Sequence, residues 1–161
     1  MSEIDRIIDQ LQREHAGDPW HGSALLSILA GVTAERAAAK PVRNGHSIWE
    51  LVLHMTGWKG EVRRRLSGAP AGEPEAGDWP SVGQPTDERW TEARARLQAA
   101  HDQLIAAIRQ LPENRLYEPT NDPRNAPRGT GVSYYELLHG IVQHDVYHAG
   151  QIALLKKAVQ G

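Results

Sequence analysis

The sequence contains no cysteine, which excludes disulfide bonds, thiolate metal ligands and a cysteine nucleophile. It also has no apolar run near the roughly 20 residues that a membrane-spanning helix needs. Its first segment is charged and amphipathic, without the apolar centre of a signal peptide. The formal net charge of −2 gives no electrostatic basis for binding nucleic acid or an anionic membrane. These absences predict a cytoplasmic globular protein with neither a nucleic-acid nor a membrane partner.

Phenylalanine is absent as well, while five tryptophans are present. Three of the tryptophans lie in segments with helical periodicity and are predicted to supply core bulk. Trp79 differs, because it lies in a stretch rich in glycine and proline, where a large aromatic side chain either anchors the loop or lines a pocket. At 161 residues, the chain is predicted to form one domain that spans residues 1–161.

Helical periodicity dominates the sequence, and no stretch alternates as a β-strand would. Residues 47–50 and 133–136 each form a capping box, with serine as N-cap and glutamate three residues later. Two long connections, residues 68–85 and 112–131, are predicted to be irregular, and loops of that length usually cover or build a site. We therefore predict an all-α fold, namely a four-helix bundle with long connecting loops.

Three histidines are predicted to point into the interior. His144 and His148 lie four residues apart in QHDVYHAGQI, so they share one face of the last predicted helix. His54 lies on the inward stripe of the second long helix. Buried imidazoles need polar partners, which hydrogen bonds to carboxylates or water can provide. A divalent cation satisfies all three at once, and we predict His54, His144 and His148 as its ligands.

The other five histidines are not predicted to bind metal. His46 precedes a helix start, and His15 and His21 flank the break after the first helix. His101 lies in a highly charged helix and is predicted to be exposed. His139 is five residues from the HxxxH pair and projects in another direction.

Several neighbouring groups are candidates for tuning the site. Asp145 or Gln143 is placed to orient a ligand ring. Glu50 lies one turn before His54, although its capping role explains it more simply. Gly150 is expected to allow a close helix approach. The sequence assigns no catalytic and no cofactor-binding residue.

The segments SIWELVLHMTGW around His54 and HDVYHAGQI around His144 and His148 resemble the DinB-like (damage-inducible) four-helix proteins. That resemblance implies a four-helix bundle, a divalent metal ion, usually zinc or nickel, held by these three histidines, and a homodimer. Some members of the family look like transferases that attach bacillithiol, mycothiol or a related thiol to electrophiles. Others resemble metal-dependent hydrolases.

The leading interpretation is a metal-dependent enzyme that transfers a low-molecular-weight thiol to an electrophilic small molecule. Metal coordination would lower the pKa of the thiol, and the cosubstrate would supply the sulfur that this chain lacks. Two alternatives stay open: a hydrolase that uses metal-bound water, and a non-catalytic stress-response scaffold in which the metal joins two helices. Three imidazoles suit zinc, nickel, manganese and iron, so the sequence does not choose among them.

Overall fold

The structure is a computed structural model that describes residues 1–123 and 132–160. Within those ranges it contains six α-helices and one 3₁₀ turn and no β-strand, so the predicted all-α class is confirmed. The helices are α1 (Glu3–Ala16), α2 (Leu25–Leu29), α3 (Ala34–Ala38), α4 (Ile48–Leu66), α5 (Asp87–Arg109) and α6 (Tyr134–Gln160). No helix in these ranges combines the length and the apolar character that crossing a membrane requires.

Side-chain caps determine where the helices that carry the candidate ligands begin. The Ser47 hydroxyl accepts a hydrogen bond from the Glu50 amide, and the Glu50 carboxylate accepts one from the Ser47 amide. Ser133 and Glu136 make the same reciprocal bonds before α6. Both predicted capping boxes are therefore confirmed, and they fix the starts of α4 and α6.

The region after α1 differs from its prediction. The sequence suggests that residues 25–29 continue the first long helix after a break, but α1 ends at Ala16 and α2 is a separate five-residue helix. The chain cannot continue helically beyond α2, because Ala30 is extended and Gly31 has a positive φ of 74°.

The two long connections are irregular where they are described. Residues 67–86 contain no helix. Up to residue 123, the second connection contains a 3₁₀ turn, Glu113–Arg115, and Pro119, which forms an isolated β-bridge with Ser133. The rest of that predicted irregular stretch, residues 124–131, lies outside the described residues.

The long helices enclose two apolar clusters. α4 packs along both α5 and α6, and α1 contacts α5 and α6. One cluster joins α2 and α3 to the first halves of α4 and α5 and the end of α6. The other joins α1 to the second halves of α4 and α5 and the start of α6. Along the helices, a set of buried polar residues, here called the polar layer, falls between the two clusters. The polar layer consists of Glu14, His15, Lys59, His101 and Asp145.

Candidate metal centre

The structure brings the three predicted ligands together where α4 crosses α6. One ring nitrogen from each of His54, His144 and His148 lies within 4.8 Å of the other two. The Nε2 atoms of His54 and His144 are 3.0 Å apart. His54 and His148 are 6% exposed, whereas the side chain of His144 is 24% exposed. The cluster is therefore enclosed on most sides and reachable from the side of His144.

An oxygen atom lies beside the other nitrogen of each ring. Nδ1 of His54 donates to the backbone carbonyl of Asp78 at 2.7 Å, and Nδ1 of His148 donates to Oε1 of Gln151 at 2.6 Å. Nδ1 of His144 lies 3.7 Å from Oδ1 of Asp145. A neutral imidazole carries one proton. An acceptor beside Nδ1 holds that proton on Nδ1, so Nε2 carries a free lone pair. Acceptors placed in this way are characteristic of metal-binding histidines.

Burial keeps two of the rings neutral. It lowers the pKa of His148 to about 4, although the hydrogen bond to Gln151 opposes this. Burial also lowers the pKa of His54, and nearby His144 lowers it further. Only a neutral imidazole can coordinate a metal, so these rings are in the binding form at neutral pH.

The arrangement fits a divalent cation by its donor chemistry. When Nδ1 carries the proton on His54 and His144, two Nε2 lone pairs face each other at 3.0 Å, which is unfavourable unless a cation or a proton lies between them. Neutral imidazoles suit zinc, nickel and related ions.

The loop between α4 and α5 covers the histidines. Oδ1 of Asp78 accepts a hydrogen bond from Nε1 of Trp58 at 2.8 Å and lies 3.2 Å from Nδ1 of His54. The Trp79 ring stacks between His46 and His54, with centroid distances of 3.4 and 3.9 Å. Trp79 is therefore both a loop anchor and a wall of the site.

Two expectations for other residues are wrong. His101 is 4% exposed rather than solvated, because it continues the inward stripe of Leu97 and Leu104 despite its charged neighbours. Within the chain, Gly150 does not allow the close approach of another helix, since it faces solvent and an added Cβ would meet no atom within 4 Å.

Other candidates have structural partners. Glu50 caps α4 and forms an ion pair with Lys40 at 2.8 Å, so its capping role holds. His139 lies 3.4 Å from Glu3, away from the histidine cluster. His15 is buried and stacks on His101, with ring centroids 3.9 Å apart.

Apart from Asp145, a candidate for orienting a ligand ring, the sequence did not indicate the polar layer. Nζ of Lys59 donates to Oδ2 of Asp145, and both residues are 0% exposed. Burial raises the pKa of Asp145, but the charge of Lys59 and the proximity of His144 outweigh it and hold that pKa below its ordinary value. Burial, and then the charge of Asp145, raise the pKa of Glu14 to about 8. The sequence pattern could have predicted the burial of two of these residues, because Lys59 and Asp145 lie at positions where the apolar stripes of α4 and α6 should continue.

A cavity of about 220 Å³ opens beside the histidines. Its walls are formed by Val42, Gly45, His46, Leu51, Gln151, Leu154 and Leu155. Gln151 links the cavity to His148 through their hydrogen bond, and His46 links it to His54 through Trp79. No Lys, Arg, Asp or Glu is among the described lining residues, so the cavity suits an uncharged organic group.

The sequence profile of the DinB superfamily matches residues 19–152. The matched range contains all three histidines of the cluster, whereas α1, with Glu14 and His15, lies outside it. No curated protein matches the chain, and no solved structure matches it either.

Proposed function

This chain belongs to the DinB superfamily, and we propose that His54, His144 and His148 hold a divalent metal ion, zinc or nickel. The observation that carries the proposal is the convergence of three ring nitrogens within 4.8 Å, with an oxygen beside each opposite nitrogen. The proposal also takes residues 1–161 as one domain, with α1, α4, α5 and α6 as the helices of the four-helix bundle that the resemblance implies.

We propose that the reaction transfers a low-molecular-weight thiol to an electrophilic small molecule. In this reaction the thiol sulfur forms a bond to an electrophilic carbon, and the leaving group departs with the thiol proton. A bound divalent ion would supply the positive charge that favours the thiolate form of the thiol. The partly exposed His144 marks the open side of the site. The cavity beside Gln151 holds the apolar part of the electrophile, and Trp79 limits the access of water to His54.

Hydrolysis ranks second because of where the carboxylates lie. A hydrolase needs a base close to the water that it activates. Asp78 and Asp145, the described carboxylates beside the ligand rings, both lie next to Nδ1 atoms. Those atoms are on the opposite edge of each ring from the converging Nε2 atoms. A scaffold without catalysis is the remaining alternative, and it predicts metal binding without turnover of any thiol.

The first test of the proposed metal centre is to measure how much metal the purified protein contains. Untagged wild-type protein is expected to contain near-stoichiometric zinc or nickel by plasma mass spectrometry, and each folded variant His54→Ala, His144→Ala and His148→Ala is expected to lose it. His21→Ala is the matched control, because His21 lies outside the cluster on an exposed segment. Wild-type protein that stays metal-free after reconstitution would refute the centre. Thiol consumption measured beside ester cleavage then separates the transferase from the hydrolase.

We also propose that a second copy of the chain binds the exposed face of α6. Its residues recur at alternating spacings of four and three, which is typical of a helix–helix seam. They are Glu136, Gly140, Gln143, Tyr147, Gly150, Leu154 and Lys157. Tyr147 and Leu154 are 65% and 67% exposed.

The spacing of this α6 face is nearly symmetric about Tyr147: Gly140 and Leu154 are each seven residues from it, and Glu136 and Lys157 are eleven and ten residues from it. An antiparallel copy would therefore be complementary to the face. Glu136 would lie opposite the partner's Lys157, and Leu154 would lie opposite the partner's Gly140. An added Cβ at Gly140 would meet no atom of its own chain within 4 Å, which leaves room for the leucine. Opposite charges at the ends and a large side chain against a small one support this pairing. Leu154 also lines the cavity, so the partner helix would border the site.

A further inference from the structure

Two fully buried charges face each other inside the protein. Lys59 on α4 and Asp145 on α6 are each 0% exposed, and the Lys59 ammonium donates to Oδ2 of Asp145. Removing two charges from water is costly, and apolar residues of similar volume often stabilise a core as well as a buried ion pair does. A gain in stability is therefore a weak explanation for the pair, which suggests a second role.

The second oxygen of Asp145 points to that role. Oδ1 lies 3.7 Å from Nδ1 of His144, slightly beyond hydrogen-bond distance, and neither atom has a hydrogen-bond partner among the described residues. The other two histidines of the cluster have acceptors of their own at 2.7 and 2.6 Å. His144 is therefore the histidine of the cluster whose Nδ1 has no acceptor within hydrogen-bond distance among the described residues, and Oδ1 of Asp145 lies beside it.

We propose that Lys59 and Asp145 are positioning residues that orient His144 in the metal centre. This inference rests on the proposed function of that centre. Lys59 holds one carboxylate oxygen, so the other oxygen can accept the Nδ1 proton of His144. The Nε2 lone pair of His144 then faces Nε2 of His54. Such acceptors beside ligand imidazoles commonly change metal affinity by 10- to 100-fold.

The other members of the polar layer leave this arrangement undisturbed. Glu14, whose pKa burial raises to about 8, is a neutral acid at neutral pH. Burial lowers the pKa of His15, and it lowers that of His101 to about 3, so both rings are neutral. Lys59 and Asp145 are thus the charged members of the polar layer, and Glu14 does not compete for the ammonium.

Nitrogen-15 NMR of the imidazole rings in the metal-free protein tests the orientation directly. We expect the Asp145 carboxylate to hold a proton on Nδ1 of His144 in the wild type. Without metal, the repulsion between the two Nε2 lone pairs should then move the His54 and His144 rings more than 3.0 Å apart. In Asp145→Asn, the amide oxygen should face Lys59, which needs an acceptor, and the amide NH₂ should then face Nδ1 of His144. The His144 proton should therefore move to Nε2, while His54 keeps its Nδ1 proton.

Glu14→Gln is the matched control for this experiment, because Glu14 is 1% exposed and belongs to the same polar layer. We expect it to leave the His144 tautomer unchanged. If the Asp145→Asn protein is folded and keeps the wild-type tautomer, the positioning role is overturned whether or not the protein binds metal.

Metal affinity provides the second readout, by chelator competition with Zn²⁺ and Ni²⁺. Asp145→Asn and Lys59→Met are each expected to weaken binding by about 10- to 100-fold. The double variant should be no weaker than Asp145→Asn alone, because both residues act on His144 through one route. If Lys59→Met fails to fold, the double variant still removes both charges together.

The outcomes separate the two proposals. Unchanged metal affinity in the folded variants, with only the melting temperature lowered, would show a purely structural ion pair and overturn the inference. A wild type without metal affinity would instead overturn the proposed metal centre, and the NMR result would still decide the orientation of His144.

Discussion

Nε2 of His54 and Nε2 of His144 lie 3.0 Å apart across the contact between α4 and α6, although 90 residues separate them in the chain. Two lone pairs at that distance repel each other unless a cation or a proton lies between them. The Asp78 carbonyl favours the lone-pair form of the His54 nitrogen, and Oδ1 of Asp145, 3.7 Å from Nδ1 of His144, is the oxygen that would favour it for His144. A divalent cation would remove this repulsion and join the two helices, so occupancy of the site should be visible in the stability of the whole protein.

Metal should therefore stabilise the folded protein. At a free metal concentration about 100 times Kd, binding adds about 2.7 kcal/mol to the free energy of unfolding. For a chain of this size, that corresponds to a rise in Tm of roughly 5 to 10 °C. Calorimetry with zinc, nickel or a chelator measures it. The folded His148→Ala protein should show no metal-dependent rise, and an equal rise in that variant would contradict the ligand set.

Trp79 should contribute to stability through its two stacked imidazoles. Because an aromatic pair contributes about 0.5 to 1.5 kcal/mol, we expect Trp79→Ala to lower the free energy of unfolding by about 1 to 2 kcal/mol. Urea unfolding of the metal-free protein measures the change. Trp20→Ala is the control, since Trp20 is 103% exposed and should change stability by less than about 0.5 kcal/mol. Equal effects of the two substitutions would show that the stacking contributes nothing.

The sequence indicates those parts of this protein that local rules determine. The serine and glutamate of each capping box interact within one helical turn, so Ser47 and Ser133 locate the starts of α4 and α6 without any knowledge of tertiary structure. The period of the helix likewise places His144 and His148 on one face, and it places His54 on an inward stripe.

The remainder depends on tertiary contacts that have no periodic signature. Asp78 and Trp79 reach His54 from an irregular loop, whose path the sequence pattern does not specify. Lys59 and Asp145 are charged, and charged residues are expected on the surface unless a partner from another helix is known. The many charged neighbours of His101 likewise predict an exposed side chain. Its spacing from Leu97 and Leu104, however, places it on the buried stripe of α5.

The Glu14 carboxyl should make stability fall at higher pH. Its folded pKa of about 8 lies above the ordinary glutamate value of 4.5, so the folded state retains a proton that the unfolded state loses between those values. The contribution of Glu14 to the free energy of unfolding should therefore decrease, by about 1 to 3 kcal/mol, between pH 5 and 8. Glu14→Gln should remove that decrease. Urea unfolding across this range, with chelator present, measures the slope.

Asp9→Asn is the control for the Glu14 prediction, because Asp9 is a more exposed carboxylate of the same helix, and its side chain is 43% exposed. That variant should keep the wild-type slope, and a Glu14→Gln protein with the wild-type slope would contradict the prediction. His101 acts in the opposite direction. Its pKa is lowered to about 3, so its contribution is complete above pH 6.5 and is lost as the pH falls towards 3.

Cysteine substitutions can test the proposed dimer directly, because the chain has no cysteine of its own. In the antiparallel pairing, Tyr147 lies opposite the partner's Tyr147, so Tyr147→Cys should form a disulfide-linked dimer under mild oxidation. Gly140→Cys is the matched control on the same face. Residue 140 is seven residues from the symmetry centre, so fourteen helical positions, or about 21 Å, would separate it from the partner's residue 140. That distance is too long for a disulfide. Cross-linking at both positions would indicate a parallel pair. If light scattering also shows a monomer and neither position cross-links, α6 is not the interface.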